Sequence, residues 1–594
     1  MTRITYIDTE KTRQRTSNSR SASVQMFIRR AVVPVLLFMA LYRFAGLSFG
    51  ELQQWDEAIY ALRARVIMLF GAIWDQSPYM LGGSYYSAHP PLQVWLTTIW
   101  TLIFGEGVWV MRLTSAVAGA LVVWLTYRIS RCAMSVAWAL AAAGFVAFSP
   151  LLAFASRQGQ LDMLLAACML GSLAAAVRYV RGGGAGYIVL AALALGAALM
   201  TKMLFALSVP ASLFVVSFVF RDERRSRARS ISIASIALSL PLWLPWLWSF
   251  AVEHGDGNAL FMFSQAFPLG ATLTGGEGVP KDTGALYYMN QLLVHLSVLA
   301  PFALLSIYRA VISPVSTALI VLSAFSILQL CVLWIMKSSF EVYLIPVLPA
   351  LIILAFAGVR DSRMLTERAR FSLGLLSVAC LAWSVSHAWR SSLKTLLGMG
   401  GDATASEVFG LFAMMSIVVA GAAVLFSLSR RGRLRRLLGV GSFHAGIAVL
   451  GVVTMWNIWV VHPSVYIDGA AAAVSAVKAS GASHVSLVGN GDNPQLTLYF
   501  DGEDIGWHDT EIRYERLEPR AMGTYGILRH LERLALEERV AVIVELDEIA
   551  AGVYSGTADV LPDGYAEMLR TPRYVVALSH DGVNESESKG MPVR

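Results

Sequence analysis

The chain has 594 residues, of which 56% are hydrophobic and only 15% are charged, and its net charge is +7. A soluble protein of this composition would expose large apolar patches and aggregate, whereas many apolar runs reach the roughly 20 residues of a membrane span. The basic residues cluster in short loops between these runs, a pattern typical of the positive-inside rule and not of nucleic-acid binding. The four cysteines are far apart, which indicates neither a disulfide framework nor a thiolate metal site.

The amino-terminal part of the chain predicts a basic tail, a first membrane span and a long outer loop. Residues 1–30 are polar and basic, and the span covers about 31–47. The loop, about 48–90, contains the acidic pair Asp56 and Glu57 within QQWDEAIYALRA. Carboxylates beside a bilayer are costly to desolvate, so this pair is a candidate functional site.

The following apolar runs predict the remaining spans, about thirteen with the first. These spans lie near 92–108 (or slightly later, to Tyr127), 133–150, 162–178, 186–200, 204–220, 231–250, 289–308, 314–336, 340–358, 371–388, 407–428 and 440–461. Counted from an inside amino terminus, every basic cluster between them falls on the cytoplasmic side. We therefore expect a multi-pass protein of the bacterial cytoplasmic membrane, with the acidic pair and the carboxyl terminus outside.

The carboxyl-terminal region, 462–594, has a different pattern, because the long apolar runs stop after Val461. Short strands are predicted at 484–490, 496–501, 541–546 and 574–580, and helices at 470–480 and 525–538. Strands that alternate with helices are typical of a small α/β domain. We expect this domain to lie outside the membrane, with a disordered tail from about residue 581.

Charged and polar residues gather at the predicted outer ends of the spans, far apart in sequence but on one side of the membrane. Carboxylates shielded from water can accept a hydroxyl proton, and nearby cations can neutralise a phosphate leaving group. The residues are Asp56, Glu57, His89, Arg157, Asp162, Lys202, His254, Lys337 and Tyr343.

The motifs that carry these residues occur in an order that resembles one enzyme family. WDEAIYA is followed by HPPLQVWL, SRQGQLD, TKMLFALSVP, PW with HGDG, and finally KSSFEVYLIPVLPAL. Each motif alone is weak, but the series over about residues 30–360 resembles the bacterial ArnT/protein O-mannosyltransferase-like glycosyltransferases. The resemblance implies a GT-C fold, with residues 31–461 as the transmembrane catalytic domain. It also implies an inverting transfer from a polyprenyl-phosphate sugar to a hydroxyl of a lipid, glycan or protein.

The resemblance also implies roles for individual residues. Asp56 corresponds to the essential carboxylate of the first outer loop and would be the general base, with Glu57 as its partner. Asp162 corresponds to a second acidic position in the cavity. The donor phosphate would be bound by Lys202, Lys337, Arg157, His89 and Tyr343. One departure is His89, because aminoarabinose-transferring members carry Lys there, and an imidazole is only partly charged near neutral pH.

Simpler explanations exist for several of these residues. Asp56, Glu57 and Asp162 are also suited to the amino termini of helices, and lysines at span ends commonly extend to the interface. A divalent metal bound by carboxylates and His254 is an alternative that no ligand spacing requires. At the level of the whole protein, the alternatives are a transporter or flippase of a lipid-linked or anionic substrate, or a non-catalytic scaffold. The chain shows no internal duplication of the kind that transporters carry.

Overall fold

The computed structural model of the chain describes most of its apolar part and portions of its carboxyl-terminal region. The described residues are 32–53, 56–74, 79–80, 83–84, 90–266, 287–313, 316–335, 340–394, 469–488, 496, 499, 513–517, 527, 529–531, 533–535, 539–545, 565–571 and 573–579. They divide into two compact units. The first draws on Met1–Ala45, Ser115–Arg157 and Leu161–Pro463, and the second on Gly46–Thr114, Gln158–Gln160 and Ser464–Arg594.

Helices make up most of the described chain. In chain order they are α1 (Val32–Phe44, ending in a 3₁₀ turn), α2 (Asp56–Phe70), α3 (Leu92–Phe104), α4 (Val108–Ser130), α5 (Val136–Phe148), α6 (Pro150–Ala155), α7 (Leu161–Val180), α8 (Gly186–Leu199), α9 (Met203–Ser217), α10 (Glu223–Ala266), α11 (Tyr287–Leu296), α12 (Ala300–Ile312), α13 (Thr317–Ile335), α14 (Leu348–Asp361), α15 (Glu367–Lys394) and α16 (Ala470–Ser480). The strands are β1 (Tyr79–Met80), β2 (Gly83–Ser84), β3 (His484–Val488), β4 (Arg513–Leu517), β5 (Val540–Glu545), β6 (Tyr565–Arg570) and β7 (Tyr574–Ser579).

The first unit is built from apolar helices. Within it α7 packs against α8, α10 packs against α8 and α9, and α9 also contacts α13. Five described stretches are long and apolar enough to cross a membrane, and several shorter apolar helices accompany them. The five are Val108–Ser130, Leu161–Val180, Glu223–Ser249, Tyr287–Ile312 and Thr317–Trp334. Each overlaps a predicted span. A run of about 20 apolar residues is expected to be helical in lipid, because a helix satisfies all of its backbone hydrogen bonds within the segment.

The structure changes some of the predicted boundaries. The run from 92 to Tyr127 forms two helices, because the chain breaks at Gly105, whose φ of 80° lies in the left-handed region. The segment predicted as the span 340–358 begins with a 3₁₀ turn at Glu341–Leu344 before α14 starts. The predicted spans 407–428 and 440–461 lie outside the described residues, as do the tail 1–30 and residues from 581 onward.

The second unit contains a five-stranded mixed sheet of order β4-β3-β5-β7-β6. β3 pairs in parallel with β4 and β5, whereas β7 is antiparallel to β5 and β6. One face packs on α16 and the other on residues around Ile527, so the central strands are buried on both sides. Three predicted strand segments overlap β3, β5 and β7, but Leu496 and Tyr499 are helical, so the strand predicted at 496–501 is wrong there.

The close approach of α12 and α14 gives a test of the packing in the first unit. A Cβ added at Gly358 of α14 would lie 1.9 Å from the backbone oxygen of Phe302 in α12. We expect Gly358→Ala to lower the apparent unfolding temperature in detergent, since forced overpacking typically costs about 1–3 kcal/mol. Gly374→Ala in α15 is the matched control, because nothing lies within 4 Å of its added Cβ. Equal unfolding temperatures for the two variants would contradict the observed packing.

Candidate active site

Glu57 is held in a buried ion pair that lies wholly within the second unit. Its Oε1 accepts from Nε of Arg112 at 2.8 Å, and its Oε2 accepts from Nη2 of the same residue at 2.9 Å. The backbone N–H of Gly159 donates to Oε1 at 2.6 Å, and that of Gln53 donates to Oε2 at 2.8 Å. Four donors therefore occupy the carboxylate, which is about as many as its lone pairs can accept.

Arg112 is equally well satisfied. Besides the two bonds to Glu57, its guanidinium donates to the backbone oxygens of Leu47 at 3.1 Å, Phe49 at 2.8 Å and Glu51 at 2.7 Å. These five bonds match the five N–H donors that a guanidinium carries. The exposed fractions of the two side chains are 1% for Arg112 and 0% for Glu57. We call this cluster, with the loop carbonyls that it binds, the Glu57–Arg112 hub.

Asp56, in contrast, is exposed. It is the first residue of α2, and Glu57 follows it directly in the first turn. Consecutive helix residues project about 100° apart, so the two carboxylates leave α2 in different directions. The acidic pair therefore consists of one carboxylate with its acceptors occupied inside the protein and one that is accessible.

In the first unit, Lys202 is surrounded by one carboxylate and two aromatic rings. Its Nζ lies 3.2 Å from Oδ1 of Asp162, 4.1 Å from the ring centroid of Tyr343 and 5.2 Å from that of Phe205. Lys202 precedes α9, Asp162 lies in the first turn of α7, and Tyr343 belongs to the 3₁₀ turn Glu341–Leu344. The lysine side chain is 15% exposed, so its charge is largely shielded from water but still accessible. We call this group the Lys202 cluster.

Arg157 is also buried in the first unit, with its Cζ 5.0 Å from the ring centroid of Tyr42. The neighbouring Arg43 is 1% exposed and donates from Nη2 to the backbone oxygen of Val146 at 2.6 Å. That carbonyl lies in the last turn of α5, where helix oxygens lack partners and the helix dipole favours a cation. Arg43 therefore anchors the end of α1 to α5. The Tyr42 ring, which Arg157 covers, lies 5.2 Å from the ring of Phe148 in the same helix α5.

The structure describes only some of the predicted site residues. It brings Asp162, Lys202 and Tyr343 into contact, while Asp56 and Glu57 belong to the other unit.

His89 and Lys337 lie outside the described residues. His254 is part of α10, but its side chain is not described. Within the described part of the chain, no group of three or more His, Cys, Asp and Glu side chains is placed to hold a metal ion.

Sequence reasoning assigned no role to Arg112 or Arg43. Both interrupt apolar segments, and a buried arginine in such a position needs a partner because an isolated buried charge is costly. That signal indicates the need for a partner but does not identify it. Glu57 precedes Arg112 by 55 residues, and no helical or strand periodicity connects positions so far apart.

Comparison with known proteins gives a consistent fold. Residues 88–248 match the family model described as dolichyl-phosphate-mannose-protein mannosyltransferase. Two crystal structures of ArnT from Cupriavidus metallidurans superpose with TM-scores of 0.62 (apo) and 0.63 (bound to undecaprenyl phosphate) at 19% identity. The superpositions cover 92% and 93% of this chain and 97% and 98% of ArnT. The chain has the fold of ArnT. The resemblance drawn from the sequence is therefore confirmed, and the protein is a polytopic helical membrane protein.

A curated relative matches part of the chain. The Bacillus subtilis protein named "Putative mannosyltransferase YycA" is 30% identical over 171 residues. This alignment covers 29% of the chain and 24% of the relative, so the chain spans about a quarter of that protein's length.

The hub predicts that Glu57 is required for stability. Glu57→Gln leaves the Arg112 guanidinium buried without a counter-charge, and breaking a buried pair in this way typically costs about 3–5 kcal/mol. We expect a large fall in apparent unfolding temperature, measured in detergent. The control is Glu106→Gln, which removes the exposed pair with Arg65 (2.8 Å) and has an expected cost below about 1 kcal/mol. An unfolding temperature for Glu57→Gln equal to that of the control would contradict a stabilising role for the hub.

Proposed function

We propose that the protein is an inverting glycosyltransferase that moves a sugar from a polyprenyl-phosphate donor to a hydroxyl of an envelope lipid, glycan or protein. The ArnT fold, the mannosyltransferase family match and the partial relative support this assignment. ArnT has been crystallised with undecaprenyl phosphate, which supports a prenyl-phosphate donor here. The observation that carries the proposal is the accessible Asp56 carboxylate beside the occupied carboxylate of Glu57.

In the proposed reaction, Asp56 is the general base. Its carboxylate takes the proton of the acceptor hydroxyl as that oxygen attacks the anomeric carbon of the donor. The bond from this carbon to the phosphate oxygen breaks, and polyprenyl phosphate leaves with the bonding electrons. Attack from the side opposite to the leaving group inverts the anomeric centre. Glu57 takes no proton in this scheme, because the hub occupies its oxygens, and it acts by positioning Asp56.

The donor phosphate is assigned to the Lys202 cluster and to Arg157, with His89, Lys337 and Tyr343 as further ligands. An ammonium group has three donors, so Lys202 can bind a phosphate oxygen while it remains beside Asp162 at 3.2 Å. Asp162 and the Tyr343 ring hold the amine in place through a charge pair and a cation–π contact. Asp162 therefore orients the lysine in this proposal. Any divalent metal would need His254 or carboxylates outside the described contacts.

The cellular arrangement follows from the pattern of charge. We propose about thirteen spans within 31–461, a cytoplasmic tail at 1–30 and an α/β domain at 462–594 outside the bacterial inner membrane. The basic loops between apolar runs support this orientation. No nucleotide site is required, because the nucleotide is consumed when the lipid-linked donor is made in the cytoplasm.

Asp56→Asn tests the general base, and a strain that lacks the gene supplies the assay. Comparing the masses of lipid A, envelope glycans and secreted proteins with and without the gene would identify the missing glycosyl unit and its acceptor. We expect the wild-type gene to restore this product and Asp56→Asn to reduce it by at least about 100-fold, the lower range for losing a general base. Glu106→Gln, an exposed carboxylate of the same unit, is the control. Normal product from a well-expressed Asp56→Asn protein would exclude the mechanism, and the absence of any mass change on deletion would favour a transporter.

Lys202→Met tests the donor site. The variant keeps the length of the side chain but removes its charge, so we expect at least about a tenfold weaker affinity for undecaprenyl phosphate. The measurement is titration of purified protein in detergent, read by native mass spectrometry. Lys478→Met, at an exposed position in α16, is the control. Unchanged affinity in Lys202→Met would remove the Lys202 cluster from the donor site.

A further inference from the structure

The first outer loop is attached to the carboxyl-terminal part of the chain by the carboxylate of Glu51. Its Oε2 accepts from the backbone N–H of Gly469 at 2.8 Å and of Ala470 at 3.3 Å, and its Oε1 accepts from Ala471 at 3.2 Å. These N–H groups open α16, where a helix has unpaired donors and a positive dipole end. All four residues belong to the second unit.

Glu51 replaces a capping side chain that α16 lacks. The helix is preceded by Gly469, which has no side chain and adopts a φ of 82°. A Cβ at this glycine would lie 2.3 Å from Cβ of Thr571, so a Ser, Thr or Asp cap cannot be accommodated without movement. The capping group therefore comes from a residue 418 positions earlier in the chain.

A second contact supports the same attachment. The backbone N–H of Leu52, the residue after Glu51, donates to the hydroxyl oxygen of Tyr499 at 3.5 Å. Burial raises the pKa of Tyr499 to about 12, so its hydroxyl stays neutral around physiological pH. Leu52 itself is only 4% exposed. The carboxyl-terminal residues thus contact two consecutive positions of the outer loop.

The same stretch of loop leads directly to the hub. The backbone oxygen of Glu51 accepts from Nη2 of Arg112 at 2.7 Å, and this nitrogen also donates to Oε2 of Glu57 at 2.9 Å. Glu57 is bonded covalently to Asp56. A short series of contacts therefore joins the start of α16, through Glu51 and Arg112, to the residue beside the proposed base.

We infer that Glu51 is a positioning residue through which the carboxyl-terminal region holds the outer loop and orients Asp56 for proton transfer. The inference rests on the proposed role of Asp56 and assigns a function to the carboxyl-terminal region. In the stretch of the loop before α2, the backbone N–H of Phe49 donates to the oxygen of Gly46 at 3.2 Å in a tight turn. The contacts of Glu51 and Leu52 add tertiary partners that orient this stretch. A base displaced by about 1 Å can lose about 100-fold in rate.

Two substitutions of Glu51 test the inference. Glu51→Ala removes the carboxylate that accepts from the start of α16, and we expect kcat to fall about 10- to 100-fold. Glu51→Gln keeps the shape and one acceptor oxygen but loses the charge, so it is expected to give an intermediate fall. Rates are measured as formation of the product identified with the deletion strain, at saturating donor. The control is Glu567→Gln, which removes the exposed pair with Arg570 in the same unit.

Measuring kcat and donor affinity separately distinguishes a positioning role of Glu51 from a general contribution to stability. We expect affinity for undecaprenyl phosphate to remain at the wild-type value, because the Lys202 cluster belongs to the first unit. A normal kcat in Glu51→Ala and Glu51→Gln would overturn the inference. So would an equal loss of kcat and of undecaprenyl-phosphate affinity, or a lower unfolding temperature with normal kcat in the folded fraction. If Glu51→Ala fails to fold, Glu51→Gln still tests the inference.

Asp56→Asn, measured in parallel, distinguishes the two levels of the proposal. An active Asp56→Asn protein would remove the proposed function whatever Glu51 does. An inactive Asp56→Asn protein together with normal Glu51 variants would leave the glycosyltransferase assignment intact and remove only the positioning role of Glu51.

Discussion

The buried pair of Glu57 and Arg112 is the interaction on which the proposed catalytic loop depends. A guanidinium with all five donors used and a carboxylate with four donors bound is stable in a dry interior, where either charge alone would be costly. The pair draws loop carbonyls, the start of α2 and the turn at Gly159 to one point. The stretch of loop before α2 is thereby fixed to the start of that helix and to Arg112.

This pair also separates two chemically similar neighbours. Asp56 and Glu57 have nearly the same intrinsic acidity, yet one is exposed and the other has no exposed side-chain surface. The carboxylate of Glu57 already accepts four hydrogen bonds within the hub. The tertiary environment thus gives different surroundings to two acids that the sequence presents as a pair.

The Lys202 cluster follows a related principle in the first unit. A lysine shielded from water needs a compensating charge, and Asp162 supplies it from the first turn of α7. The ammonium of Lys202 also contacts the Tyr343 ring, which limits where the ammonium can move. An amine held in this way loses little conformational freedom when a phosphate binds, which favours binding. The described contacts therefore support an orienting role for Asp162.

The sequence determined the membrane-protein class, most helix positions and the resemblance to ArnT, because apolar runs and local motifs are properties of neighbouring residues. It also predicts that Asp56, Glu57, Asp162 and Lys202 lie on one side of the membrane. It did not determine that Glu57 is enclosed by Arg112, that Asp162 holds Lys202, or that Glu51 caps a helix 418 positions later. Only the tertiary structure decided these points, because each is a contact between distant segments whose pairing leaves no periodic trace in the chain.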